Sequence, residues 1–190
     1  MDAFWKDGQY GYVPREKPNN TIRLLYENFN SLGVFATGKA RRRKVNRLKQ
    51  LLREYGADIL AGCETQVDWR YATEENDKFH NLFGKGQERK SVIGFNRTGK
   101  KMGRAQNGGT AMITFGRLSA SVTETGVDDT GLGRFSWMKL SGGGKTTRVV
   151  TVYNPCEPQG ETAGTTTWDQ QASYFEAKGD GRSPRTILFE

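Results

Sequence analysis

The sequence is poor in cysteine, histidine and acid, and has no long apolar run. Two cysteines, Cys63 and Cys156, among 190 residues are too few for a disulfide framework. A reducing compartment is therefore expected, and the sequons at Asn19 and Asn96 carry no weight. No apolar stretch is long enough to span a bilayer, and the opening MDAFWKDGQYGYVPREKPNN lacks the apolar core of a secretory signal. The expectation is an intracellular protein, the nucleus included, with no membrane partner and no obligate protein partner. Acidic side chains number 21 against 29 Lys and Arg, leaving a formal charge of +8. Such an excess favours a polyanionic partner, nucleic acid ahead of anionic lipid, and speaks of association rather than fold. What is present, 35% hydrophobic and 26% charged residues, suffices for one sizeable core and is too polar for a membrane or fibrous protein.

Residues 1–20 mix Gly, Pro, Asn and charge without a period and read as a mobile arm before a domain over 21–190. TIRLLYENFN gives a short strand, expected to be buried on both faces because Leu24 and Leu25 are consecutive. In KARRRKVNRLKQLLREYG, residues Val45, Leu48, Leu51, Leu52 and Tyr55 share one helical face, and Gly56 supplies the stop. ADILAGCET is a second buried strand. Strand, helix and strand in that order form a βαβ-like unit, whose carboxyl ends, around Asn28 and Glu64, open onto one edge. Residues 66–107 read as loops, with a strand at SVIGFN and a short helix near Tyr71 to Lys78. Strands then recur in TAMITF, LSASVTETG, RFSWMKL and TTRVVTVYN as an antiparallel succession with Gly-rich turns such as SGGGK. TTTWDQQASYFEAKG and SPRTILFE read as helices. The last has a start signal and no stop signal, so the domain is expected to continue past Glu190.

Four segments carry polar residues where apolar strands end or begin: YENFNSLG, CET, NGGTAM and TVYNPC. Each alone is weak, since a glutamate at a strand end is usually a solvated loop residue. As an ordered set they resemble the endonuclease/exonuclease/phosphatase family, nearest its apurinic-site-type members and the endonuclease domains of non-LTR retroelements. GLGRFSWMKL, TVYNP and the stretch from Trp168 to Glu190 look especially like retroelement proteins. The resemblance implies an α/β fold of two packed β-sheets flanked by helices, a four-layer sandwich of the DNase I-like type, incomplete at the C-terminus. It implies Mg²⁺ or Mn²⁺ as cofactor, held by Glu64 with help from Asn28. It also implies Tyr153 on the scissile phosphate, Arg134 as a less specific site arginine from the strand before it, and Gly109 and Thr110 shaping the site. Asn30 stands where repair-type members have aspartate, and Cys63 replaces a glutamine. The family's Gly-Asp-x-Asn and Ser-Asp-His motifs, which supply base and acid, are absent from these 190 residues, so no activity is expected of this stretch alone. His80, Asp128 and Asp129 match neither motif and read as structural or surface residues.

Arg41, Arg42, Arg43, Lys44 and Arg47 crowd the first helix, and Lys100, Lys101 and Arg104 precede NGGTAM. A solvated outer face explains many such runs; a phosphate backbone tracked by them is the functional alternative. Trp137 and Trp168 fall at core-facing spacings. The leading expectation is a Mg²⁺-dependent phosphodiesterase that nicks DNA. The rivals are a hydrolase of small phosphate esters and a protein that only binds nucleic acid.

Overall fold

Five consecutive apolar or small residues, Ile59–Cys63, form the strand β2 and are all buried, the pattern of a strand covered on both faces. The computed structural model describes residues 16–35, 39–73, 78–84, 88–97 and 104–153. Strand β1 (Leu24–Asn28) is followed by helix α1 (Lys39–Glu54) and then β2, which pairs in parallel with β1, Asn28 opposite Cys63. A short helix α2 (Phe79–Leu82) leads to β3 (Arg89–Gly94) and β4 (Thr110–Phe115). The first sheet has the order β1-β2-β4-β3, with β4 antiparallel to both neighbours. The second sheet is an antiparallel meander of β5 (Val122–Val127), β6 (Phe135–Gly142) and β7 (Lys145–Val152). Gly143 and Gly144, at φ 56° and 74°, make the two-residue β6–β7 turn that needs positive φ at both positions.

The alternation of β2 and β4 builds two cores. Ile59, Ala61 and Met112 face the second sheet and meet Met138, Leu140 and Val149. Leu60, Ala111 and Ile113 face the other way and meet Val45 and Leu48 of α1 with Phe29, Leu32, Trp69 and Phe79. Burying each such Leu, Ile or Met fully stabilises the fold by about 1.5–3 kcal/mol. Lys17 forms an ion pair with Asp58, tying the chain before β1 to the start of β2.

Several expectations are corrected. Leu24 and Leu25 pack into opposite cores, as expected, but among the described residues β1 pairs with β2 alone and Tyr26 remains 39% exposed. The middle of the short helix expected near Tyr71 to Lys78, residues 74–77, lies outside the described residues; before it Trp69–Tyr71 is a 3₁₀ turn started by Asp68, whose side chain accepts from the Arg70 amide, and after it Phe79–Leu82 is a short α-helix. The front of LSASVTETG is likewise a 3₁₀ turn, Gly116–Ser121, and the strand begins at Val122. Trp137 does not face the core: it lies half-buried on the outer face of the second sheet, with the Arg148 guanidinium 4.8 Å from its ring centre. Trp168, Cys156 and the two helices expected near the C-terminus fall outside the described residues. Among the described residues no helix is long and apolar enough to cross a membrane.

Candidate active site

The parallel pairing of β1 and β2 puts their carboxyl ends at one edge, and the antiparallel β4 brings its amino end to the same place, Cys63 opposite Thr110. The chain then turns twice. After β1, the Asn28 side-chain oxygen accepts from the Asn30 amide at 2.9 Å, and its Nδ2 donates to Glu64 Oε1 at 3.0 Å. After β2, the backbone continues the pairing beyond the strands: the Ser31 amide donates to the Glu64 carbonyl and the Leu32 amide to the Thr65 carbonyl, both at 2.9 Å. Four non-glycine residues in these two turns adopt left-handed backbone, Asn30 (φ 38°), Ser31 (φ 69°), Glu64 (φ 56°) and Gln66 (φ 51°). Each such residue costs about 1–3 kcal/mol, and such strain concentrates where side chains must be aimed.

Two glycines join this edge to the second sheet. The Gln66 amide donates to the Gly108 carbonyl at 2.9 Å and the Thr65 amide to the Gly109 carbonyl at 3.4 Å. Gly109 has φ 86°, and a Cβ there would lie 2.5 Å from Thr65 Oγ1; one on Gly108 would lie 2.5 Å from Tyr153 Cε1. The Tyr153 ring therefore packs against Gly108, the residue that pairs with the turn carrying Thr65 and Gln66. Its amide donates to the Arg134 carbonyl at 2.7 Å, and the Arg134 guanidinium lies 5.5 Å from its ring centre. Arg134 is buried; burial lowers its pKa, an effect opposed by Tyr153 and Asp128. Asp128 is structural, as its turn composition suggests: its carboxylate accepts from the amides of Thr130 and Arg134 at 2.9 and 3.0 Å.

The structure thus brings Asn28 and Glu64 into direct contact and links them, through Gly108 and Gly109, to Tyr153 and Arg134. Tyr26, which sequence reasoning missed, stands on the same face of β1 as Asn28. Its pKa is raised above the usual tyrosine range, first by burial and then by Cys63 and the Glu64 charge. Lys44, expected among the phosphate-tracking cations, has its ammonium at the carbonyls of Phe29, Asn30 and Ser31 at 2.6, 2.7 and 2.7 Å, in the turn after β1. Arg43 and Arg47 of α1 are exposed. Arg104 is exposed with its guanidinium 5.4 Å from the ring centre of Phe35, beside the chain leaving that turn. The side chains of Arg41, Arg42, Lys100 and Lys101 lie outside the described residues. His80 is half-buried in α2, where its carbonyl accepts from Arg89.

Among the described residues no three His, Cys, Asp or Glu side chains gather as a ready-made metal cage. The donor set of one half-exposed carboxylate, Glu64, backed by the Asn28 amide, suits a hard cation that keeps most of its water. Mg²⁺ is commonly held in that way, by one or two carboxylates.

The sequence model of the endonuclease/exonuclease/phosphatase family matches residues 28–189. No curated protein matches the chain. Among solved structures, an endonuclease/exonuclease/phosphatase family protein from Leptotrichia buccalis is 12% identical with a TM-score of 0.52, over 83% of this chain and 63% of that one. An AP endonuclease from Archaeoglobus fulgidus is 18% identical with a TM-score of 0.48, over 82% of this chain and 49% of that one. A single-residue variant of the 3′ phosphatase NExo from Neisseria, bound to product DNA hairpin, is 18% identical with a TM-score of 0.49, over 84% of this chain and 51% of that one. The chain thus spans about half to two-thirds of the length of these structures. The Leptotrichia likeness shows the α/β fold of two packed sheets expected from the sequence.

Proposed function

The chain belongs to the endonuclease/exonuclease/phosphatase family, and from that premise we propose that it forms part of a divalent-metal-dependent phosphodiesterase that nicks DNA, of the retroelement type. The observation that carries the reading is the hydrogen bond from Asn28 to Glu64 at the edge where Tyr153 also lies. In this reading Glu64 supplies the carboxylate for Mg²⁺ or Mn²⁺, and Asn28 holds that carboxylate in one orientation. Tyr153, its ring fixed by Gly108 and Arg134, donates its hydroxyl to a phosphate oxygen. When bound, the ion supplies charge neutralisation at the phosphoryl oxygens. Arg43, Arg47 and Arg104, together with Arg41, Arg42, Lys100 and Lys101, attract the phosphate backbone and release its counterions. A long polyanion fits this spread of cations better than a small phosphate ester.

The 190 residues contain no Gly-Asp-x-Asn and no Ser-Asp-His. General acid and base groups each contribute roughly 10²–10⁴-fold to such reactions, so this stretch alone is expected to bind DNA and turn it over poorly. The test is relaxation of supercoiled plasmid in Mg²⁺ by the chain extended through those motifs. Nicking that disappears in Glu64→Ala supports the proposal. No nicking, or nicking indifferent to Glu64→Ala, removes it.

A further inference from the structure

A lysine on a basic helix would ordinarily be assigned to phosphate. Lys44 is committed elsewhere. Its ammonium has three N–H donors, and all three find consecutive carbonyls, those of Phe29, Asn30 and Ser31, at 2.6 to 2.7 Å. Three carbonyls converge on one point only where the chain curls around it, and the curl here is the left-handed pair Asn30 and Ser31. The same turn fixes Asn28 through the Asn30 amide and fixes Glu64 through the Ser31 amide. Without the ammonium, the three carbonyl dipoles would repel one another at the centre of the turn and two residues would be freed to leave a costly backbone region.

We propose that Lys44 is a positioning residue for the Asn28–Glu64 pair, holding the turn after β1 in its curled form, and not a contact to nucleic acid. The effect on a metal rests on the reading of Glu64 above; the effect on the turn does not. Groups that orient a ligand without touching the ion typically change metal affinity by about 10–100-fold. Electrostatics alone predicts the opposite sign, because deleting a positive charge near the site should help a divalent cation bind. A weakening therefore reports geometry.

The experiment measures two things on the chain and its Lys44→Met and Lys44→Arg variants. The first is amide exchange at Ser31 and Leu32, with Leu60 and Ile113 as reporters of the core. The second is Mn²⁺ affinity from paramagnetic broadening at the Asn28 side-chain amide. Lys44→Met is expected to lose Ser31 and Leu32 protection while Leu60 and Ile113 keep theirs, to bind Mn²⁺ about tenfold or more weakly, and to be partly restored in Lys44→Arg. If native protein shows no Mn²⁺ broadening but Lys44→Met still loses Ser31 protection, the metal reading fails and the positioning of the turn stands. If Ser31 protection is unchanged and only the salt dependence of DNA binding falls, the proposal is overturned. Should Lys44→Met lose core protection as well, Lys44→Gln takes its place: one atom shorter and with two donors, it cannot serve all three carbonyls, so Ser31 protection should still fall, and unchanged Ser31 exchange there also overturns the proposal.

Discussion

Gly108→Ala is the most informative single substitution, because two separable costs meet at that residue. Gly108 has φ 76°, and an added Cβ would lie 2.5 Å from Tyr153 Cε1 and 2.8 Å from Cδ1. Left-handed backbone costs a non-glycine residue about 1–2 kcal/mol. Overpacking against a fixed ring adds about 1–3 kcal/mol, giving roughly 2–5 kcal/mol in all. Gly143 isolates the first cost: its φ is 56° and an added Cβ would meet nothing within 4 Å. Urea unfolding of Gly108→Ala and Gly143→Ala, side by side, should therefore separate their stabilities by about 1–3 kcal/mol. With a slope of about 1–3 kcal/mol per molar for small proteins, the midpoints differ by roughly 1 M. Adding Tyr153→Leu should relieve the clash, so that the double variant loses less than the sum of the single ones. Equal midpoints for the two glycine variants, or strict additivity with Tyr153→Leu, would refute the packing of Tyr153 against this turn and with it the continuity of the site.

Other outcomes follow from the same structure. Ile113→Ala removes a fully buried side chain between α1 and the first sheet and should destabilise by about 2–5 kcal/mol in urea unfolding. Asp128→Ala leaves the amides of Thr130 and Arg134 without their acceptor, and a loss of about 1–3 kcal/mol is expected; a wild-type midpoint would show that the β5–β6 turn does not depend on it. DNA affinity should fall steeply with salt, and Arg43→Ala and Arg47→Ala should each lower the slope of log affinity against log salt by about 1. Salt-insensitive binding would count against phosphate contacts by α1.

Much of the site edge is legible in the sequence because parallel pairing is a local inference. A strand, a helix with an apolar stripe and a second strand leave few ways to pack, and all of them bring Asn28 and Glu64 to one end. The polar residues that follow Leu24 and Leu25 therefore do more than turn the chain: the Asn28 side-chain amide donates to Glu64. What could not be read depends on contacts distant along the chain. β1 looks fully buried from its consecutive leucines, yet whether a further strand pairs with its outer edge is decided by the rest of the fold. In FSWMKL both parities carry large apolar residues, Phe135 and Trp137 against Met138 and Leu140, so the buried face is ambiguous until the second sheet docks on the first. Nor does helical periodicity distinguish Lys44 from Arg43 and Arg47, since its partners are backbone carbonyls whose convergence depends on φ angles no residue type announces.

The most direct measurement is a Mn²⁺ titration of the isotopically labelled chain and of Glu64→Ala. Broadening should begin at the Asn28 side-chain amide and the Glu64 and Thr65 backbone amides, spread next to Gly108 and Tyr153, and vanish in Glu64→Ala while the fold persists. Broadening centred elsewhere, or unchanged by Glu64→Ala, would contradict a metal site at Glu64.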